Sequence, residues 1–204
     1  MGITERKERE KLALRRKIVE AAKAMFIAEG YEKTSLRKIA KRIEYSPGTI
    51  YLHFKNKNEL FYTVHEEGFA IFLDGMKNAK KGIDSPYEQL RAMGRYYLQF
   101  AHENPELYDL MFIMNAPMEE LPEEEWGCGK ASYKMLEDTI QEAVQQGEVQ
   151  TDNVELAAFS LFSFMHGMTS LAIKNRMEMK RDLPSNVIEV AMETMMQQMR
   201  NESR

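Results

Sequence analysis

Helix starts punctuate this chain again and again, and no comparable signal marks a strand. "SPGT" (Ser46 to Thr49), "SPYE" (Ser85 to Glu88), "NPEL" (Asn104 to Leu107) and "DNVE" (Asp152 to Glu155) share one grammar. A short polar side chain accepts from the free N–H groups of a helix start, and proline at the first helical position loses no hydrogen bond. Apolar residues with the helical period accompany these starts. A first helix is expected from Glu8 to Glu29, with Ile18, Ala22, Met25 and Phe26 inward and Gly30 as its stop. Thr34 is expected to cap a second, burying Leu36, Ile39, Ala40 and Ile43. Ser46 and Pro47 open a third, burying Ile50 and Phe54, and Asn56 with Glu59 forms a capping-box pattern for a fourth, Lys57 to about Ala79. The fifth runs to about His102 and a short sixth follows Asn104. Asn115 to Gly129 reads as a loop, Lys130 to Gln146 as a seventh helix, Asp152 to about Arg176 as an eighth, and a ninth starts near Leu183 to Asn186 and ends near Arg200. Without sustained alternation bounded by hairpin turns, the fold class is all-α, with about nine helices.

Charge divides the chain. Residues 1–57 carry 15 Lys and Arg against 7 Asp and Glu, a net +8, while residues 58–204 carry 13 against 25, a net −12. A basic head on an acidic body suits a nucleic-acid-binding module joined to a separate one, although a charge run is often only a solvated face. The expected domains are 1–57 and 58–204. At 44% hydrophobic, the 204 residues can bury a real core. The single cysteine, Cys128, excludes an intrachain disulfide and any zinc site built on several cysteines. The N-terminus is charged from Glu5 onward and shows no signal peptide, so a cytoplasmic protein is expected. Leu156 to Ile173 has 18 residues without a formal charge. Its recurring Ser160, Ser163, Gly167 and Ser170 favour packing in a core or subunit interface over a membrane span.

The second and third helices join over Glu44 to Ser46, the proportions of a helix-turn-helix. The second helix of such a unit enters the major groove by its N-terminal end. Its outward residues here are Tyr45, Ser46, Pro47, Gly48, Thr49, Tyr51 and His53. Glycine permits close approach, and the hydroxyls and imidazole can meet phosphate oxygens. Lys57, in the first turn of the next helix, adds a cation beside free N–H groups. Tyr51 and His53 could equally cover the edge of the core. Arg6, Lys7 and Arg9 could reach an adjacent groove or belong to a frayed tail.

These residues carry a resemblance. "EKTSLRKIAKRIEYSPGTIYLHFKNKNEL" (Glu32 to Leu60), with "AAKAMFIAEGYEKTS" (Ala21 to Ser35) before it, resembles the DNA-binding segment of the TetR/AcrR family of bacterial transcriptional regulators. The likeness spans about 50 residues, from the first helix to the start of the fourth. It implies a three-helix head and a helical C-terminal domain for ligand binding and dimerisation, in a homodimer reading a two-fold-symmetric, double-stranded operator. The DNA-contact positions it implies are Thr34 and Ser35, Tyr45 to Thr49, then Tyr51, His53 and Lys57, with Arg37 and Lys38 as candidates from the second helix. The family usually has glycine where this chain has Glu44. "AHENPELYDLMF" (Ala101 to Phe112) and "FSFMHGM" (Phe162 to Met168) resemble the subgroup with a Trp…His-Gly signature, Phe162 standing in for the tryptophan.

By that resemblance the body binds a small effector that lowers operator affinity. Of 16 methionines, 14 lie after residue 57, either filling core gaps or lining an adaptable apolar site. Tyr97, Phe100, Met111, Met114, Met165 and His166 are candidate effector contacts, suited to a small, largely apolar molecule. Met192, Met195, Met196 and Met199 form a stripe on the ninth helix. With Ser163, Gly167 and Ser170 of the eighth, it suggests a four-helix dimer interface. None of the four histidines has a glutamate three residues before it, and no H-E-x-x-H, phosphate loop or G-x-S-x-G occurs. No metal, cofactor or catalytic group is therefore expected. Cys128 is either a redox-sensitive thiol or an ordinary one. Two other readings stay open: a protein of this fold that binds ligand or partner without operator, and an all-α enzyme with its site in the body.

Overall fold

The caps that mark helix starts in the sequence close real hydrogen bonds. The computed structural model describes residues 2–114, 127–176 and 186–200. Among them are α1 (Ile3–Glu29), α2 (Leu36–Arg42), α3 (Pro47–Tyr51), α4 (Lys57–Lys80), α5 (Pro86–Glu103), α6 (Pro105–Tyr108), α7 (Gly127–Gln145), α8 (Val154–Ile173) and α9 (Val187–Met199). Ser46 accepts from the Thr49 N–H at 3.2 Å, Ser85 from Glu88 at 3.2 Å, Asn56 from Glu59 at 2.8 Å and Asn153 from Leu156 at 2.9 Å.

Several expected details change. The cap of α2 is Ser35, which accepts from the Lys38 N–H, whereas Thr34 turns inward. The Glu59 carboxylate reaches back to the Lys55 N–H at 2.7 Å, one residue before the expected partner Asn56. α1 begins five residues earlier than Glu8, stabilised by Gly2 N–H donating to Glu5 at 3.0 Å and by the Arg6–Glu10 pair at 2.7 Å. α7 begins at Gly127, so Gly127, Cys128 and Gly129 are helical rather than loop. The rest of that expected loop, 115–126, and the approach to α9, 177–185, lie outside the described residues. α8 stops at Ile173 because Asn175 turns left-handed at φ 53° and the Arg176 N–H closes back onto Leu171 at 2.8 Å. α6 runs into a π turn, Asp109–Ile113, where the Met114 N–H donates to the Asp109 carbonyl at 2.7 Å.

The described residues fall into two units, 2–69 with 109–114 and 127, and 70–108 with 128–176 and 186–200. α4 passes from the first to the second without interruption. The core of the first unit is Ile18, Val19, Ala22, Met25 and Phe26 of α1, Leu36, Ile39 and Ala40 of α2, Ile50, Phe54, and Leu60, Phe61 and Val64 of α4. Phe26, Tyr31 and Phe61 form a ring cluster with centroids 5.1–5.9 Å apart. Tyr31 also donates to the Asn58 side chain. His65, 2% exposed, donates from Nε2 to the Met111 carbonyl of the π turn at 3.0 Å.

In the second unit α5 packs against α8 and α9. Arg91 and Arg95 of α5 meet Glu193 of α9 at 2.6 and 3.2 Å. Two glycines allow close approach: a Cβ on Gly75 would lie 1.9 Å from the Tyr96 ring, and one on Gly94 2.9 Å from the Met192 sulfur. This packing corrects part of the expected dimer stripe. Met192 and Met196 are each 1% exposed, buried inside their own chain, while Met195 and Met199 are half-buried. α8 is long and apolar enough to cross a membrane by composition, but Ala158, Leu161, Met165 and Thr169 on one side are buried within the fold.

Candidate nucleic-acid interface and effector site

The join between α2 and α3 is a Schellman turn. Glu44 is left-handed at φ 62°, its N–H donates to the Lys41 carbonyl at 3.2 Å, and the Tyr45 N–H donates to Ala40 at 3.0 Å. The conformation that glycine would adopt freely is therefore kept with a glutamate, at a strain of about 1 kcal/mol. It orients Tyr45 and sets the start of α3.

Beyond the turn, the outward residues of α3 lie on one exposed surface. Tyr45, Ser46, Pro47 and Gly48 are exposed, Thr49 is half-buried, and Tyr51 is 52% exposed. Ser46 and Thr49 share a hydroxyl hydrogen bond of 2.9 Å, which fixes both oxygens at the front of the helix. A Cβ on Gly48 would meet only the Ser46 hydroxyl, at 3.8 Å, and the position is helical. Nothing within the chain calls for glycine there. Glycine in a helix is less stable than alanine by up to about 1 kcal/mol.

Cations flank this surface. The Lys17 ammonium lies 5.1 Å from the centre of the Tyr45 ring and donates to the Ile43 carbonyl at 3.3 Å. The Arg15 guanidinium sits 4.4 Å over Phe54. His53 is held below its ordinary pKa by partial burial and then by the charges of Lys11 and Arg15. Ser35 and Arg37 are exposed, and Lys38 is exposed but tied to Glu29 at 3.0 Å and to the Lys33 carbonyl at 2.7 Å. One expected contact turns out differently, and a second also has a partner inside the chain. Thr34 is 2% exposed and its hydroxyl donates to the Gly30 carbonyl at 2.9 Å, so it secures the end of α1 instead of facing a phosphate. Lys57 donates to the Tyr31 carbonyl at 3.0 Å and lies 3.8 Å from the Tyr31 ring centre, which gives it a structural role, with two N–H donors left over. Lys17, Arg15 and the 81%-exposed Leu52 were missed in the sequence, because only the fold shows which side of α1 meets α3.

In the second unit the structure joins Tyr97, Tyr108, His166 and Ser170 in one hydrogen-bonded chain. The phenols of Tyr97 and Tyr108 are 2.7 Å apart, Tyr108 is 2.9 Å from His166 Nδ1, and Ser170 is 3.4 Å from Nε2. Burial pushes Tyr97 far above the usual phenol range, pushes Tyr108 up to about 12, and lowers His166. All three are thus neutral near pH 7. A neutral imidazole donates through one nitrogen and accepts through the other, so the chain has a single direction. The His166 ring is stacked between Tyr108 and Phe162, with centroids 6.0 and 5.8 Å away. Phe100 packs on Phe72 at 5.1 Å, and Met165 is buried beside Gly94. Met111 and Met114 belong to the first unit, where the Met111 carbonyl receives His65. Tyr108, central to the chain, is absent from the sequence expectation. On α8, Ser163 is exposed, a Cβ on Gly167 would touch nothing, and Ser170 is half-buried. Leu156 and Phe159, 60% and 59% exposed, share their side of the helix.

Comparison with known proteins agrees with both units. The family described as bacterial regulatory proteins, tetR family, matches residues 18–64, and the one described as tetracyclin repressor-like, C-terminal domain, matches residues 90–195. An HTH-type transcriptional regulator of Staphylococcus aureus strain USA300 is 38% identical over 93 residues, 46% of this chain and 50% of that protein. The match thus spans about half the length of such curated relatives. Among solved structures, a regulatory protein in the tetR family from Rhodococcus RHA1 aligns with TM-score 0.68 and 20% identity, covering 91% of this chain and 96% of that one. The fatty acid degradation regulator FadR from Bacillus halodurans aligns with TM-score 0.71 and 19% identity, covering 93% and 96%. These structures share the fold, and the family matches run through both parts of the chain: it belongs to the TetR family of transcriptional regulators, not to a family of enzymes.

Proposed function

We propose that this regulator is a dimeric repressor that reads a palindromic operator through α3 and leaves it when a small, largely apolar effector binds the second unit. The observation that carries the operator reading is Gly48, an exposed helical glycine whose added Cβ would meet only the Ser46 hydroxyl, on a surface flanked by cations. Tyr45, Pro47 and Gly48 are assigned to thymine methyls or close backbone approach, and Ser35, Arg37, Lys38, Ser46, Thr49, Tyr51, His53 and Lys57 to phosphates and groove edges. Support for the dimer comes from the exposed side of α8, where Leu156, Phe159, Ser163, Gly167 and Leu171 recur at helical spacing. The effector contacts assigned are Tyr97, Phe100, Met165 and His166, among aromatic rings with few polar groups. The FadR likeness makes molecules with a hydrocarbon chain the first to screen.

Release requires that the effector favour a dimer geometry in which the two heads no longer match successive grooves. α4, continuous through both units, is the element able to carry that preference. The protein acts in the cytoplasm on this reading, where its operator lies. Fluorescence anisotropy with the DNA upstream of its own gene tests it: salt-sensitive binding stronger than to scrambled DNA, and weakened by an effector, is the expected result. Effector binding with equal affinity for scrambled DNA would favour the reading in which this fold binds ligand without an operator.

A further inference from the structure

We infer that Thr169, with Ser170 beside it, takes an uncharged oxygen at the head of the effector, a hydroxyl or a carbonyl, while the hydrocarbon part lies along the neighbouring rings. This rests on the effector reading above and names the head chemistry that the reading leaves open.

Thr169 carries the argument because it breaks a local habit. A threonine inside a helix either turns to solvent or donates to the carbonyl four residues earlier. Thr63 donates in this way to Glu59 at 2.9 Å, Thr139 to Met135 at 2.8 Å and Thr194 to Val190 at 2.8 Å. Thr169 of α8 does neither. It is 3% exposed, and among the described residues its hydroxyl closes no hydrogen bond of proper geometry. A buried hydroxyl left in that state calls for a partner.

The neighbours define what that partner can be. Thr169 and Ser170 both stand near the Tyr108 phenol. That phenol is already held between Tyr97 at 2.7 Å and His166 Nδ1 at 2.9 Å, and Ser170 lies 3.4 Å from Nε2 of the same imidazole. These hydroxyls gather against the stacked rings of Tyr108, His166 and Phe162. A hydroxyl both donates and accepts, so Thr169 matches a carbonyl or an alcohol equally well. An ionised carboxylate would stand buried among hydroxyls, or would have to draw a proton onto His166 against the burial that keeps the ring neutral. A buried ammonium meets the same kind of cost.

The test titrates the full chain by calorimetry with straight-chain alcohols, methyl esters, carboxylates and amines, from hexyl to hexadecyl. The work is done at about pH 7, where the last two are charged. Wild type should bind an alcohol or ester at least about tenfold more tightly than the carboxylate and amine of the same chain length. Thr169→Val keeps the shape of the side chain and should weaken the alcohols and esters about 2- to 12-fold, the worth of one hydrogen bond. Thr169→Ser should retain their affinity. Without ligand, Thr169→Val should unfold at the same Tm as wild type or a higher one, because the hydroxyl it removes is unpaired. A lower Tm shows an internal partner and overturns the assignment. Carboxylates bound as tightly as alcohols, or alcohols unmoved by Thr169→Val, also overturn it and leave the effector reading standing. Binding of no member of the series removes the hydrocarbon effector and the head assignment together.

Discussion

Gly48→Ala should move stability and DNA affinity in opposite directions. The added methyl meets only the Ser46 hydroxyl, at 3.8 Å, so the fold accepts it without a clash. Replacing glycine by alanine in a helix gains up to about 1 kcal/mol. The position lies in the first turn of α3, which sets the expected gain at about 0.5–1 kcal/mol, or roughly 1–4 °C in Tm for a chain of this size. On the proposed docking, the same methyl stands where the helix backbone meets the duplex. Forcing a methyl into a packed contact costs about 1–3 kcal/mol, roughly 5- to 150-fold in affinity. Thermal unfolding followed by circular dichroism gives the first quantity, and anisotropy titration with operator DNA gives the second. A stabilised variant that binds as well as wild type would refute the close approach of α3. A destabilised variant would refute the claim that the glycine has no internal role.

Other changes probe the remaining features. Glu44→Gly should stabilise by up to about 0.5 kcal/mol, the relieved left-handed strain being partly offset by the freer unfolded chain, and Glu44→Val should destabilise, both read by urea unfolding. Acid should weaken the fold through His65, whose pKa is lowered chiefly by burial and only partly restored by its bond to Met111 and by Glu66. The unfolded chain takes up that proton near pH 6.5 and the native one only at lower pH. Stability is thus complete above about 6.5 and falls below it by at most about 1.4 kcal/mol per pH unit for this group. His65→Gln keeps a donor for Met111 and should flatten the decline between pH 7 and 5.5. On the proposed dimer, Phe159→Glu should give monomers in sedimentation where wild type gives dimers, with little change in protomer fold. Met192→Ala should cost about 2–5 kcal/mol of stability, because that side chain is already buried within the protomer.

The order of helices was legible because capping is local chemistry: Ser46, Ser85 and Asn153 each act within three residues of themselves. The buried sides of α2 and α3 were legible for the same reason, since the helical period names Ile39, Ile50 and Phe54 directly. Periodicity could not say what covers a stripe. Met192 and Met196 read as interface and are core; for Met192 the reason is that α5 presents Gly94 to it. Thr34 and Ser35 both suit a cap, and only the three-dimensional position of the Gly30 carbonyl decides between them. Tyr108 escaped notice because its partners, Tyr97 and His166, are 11 and 58 residues away. Met111 and Met114 follow Tyr108 closely in sequence yet belong to a different compact unit.

Glu44 has a further consequence, electrostatic in kind. Its carboxylate is exposed and stands next to Tyr45, at the threshold of the reading helix. On the proposed docking it brings a negative charge towards a phosphate backbone, where a glycine would bring none. On that docking the turn keeps its shape while holding the affinity for DNA below what a glycine there would allow. An effector of ordinary coupling strength shifts binding by only about 1–3 kcal/mol. If the proposed release operates under so small a push, a grip already moderated by this glutamate would suit it.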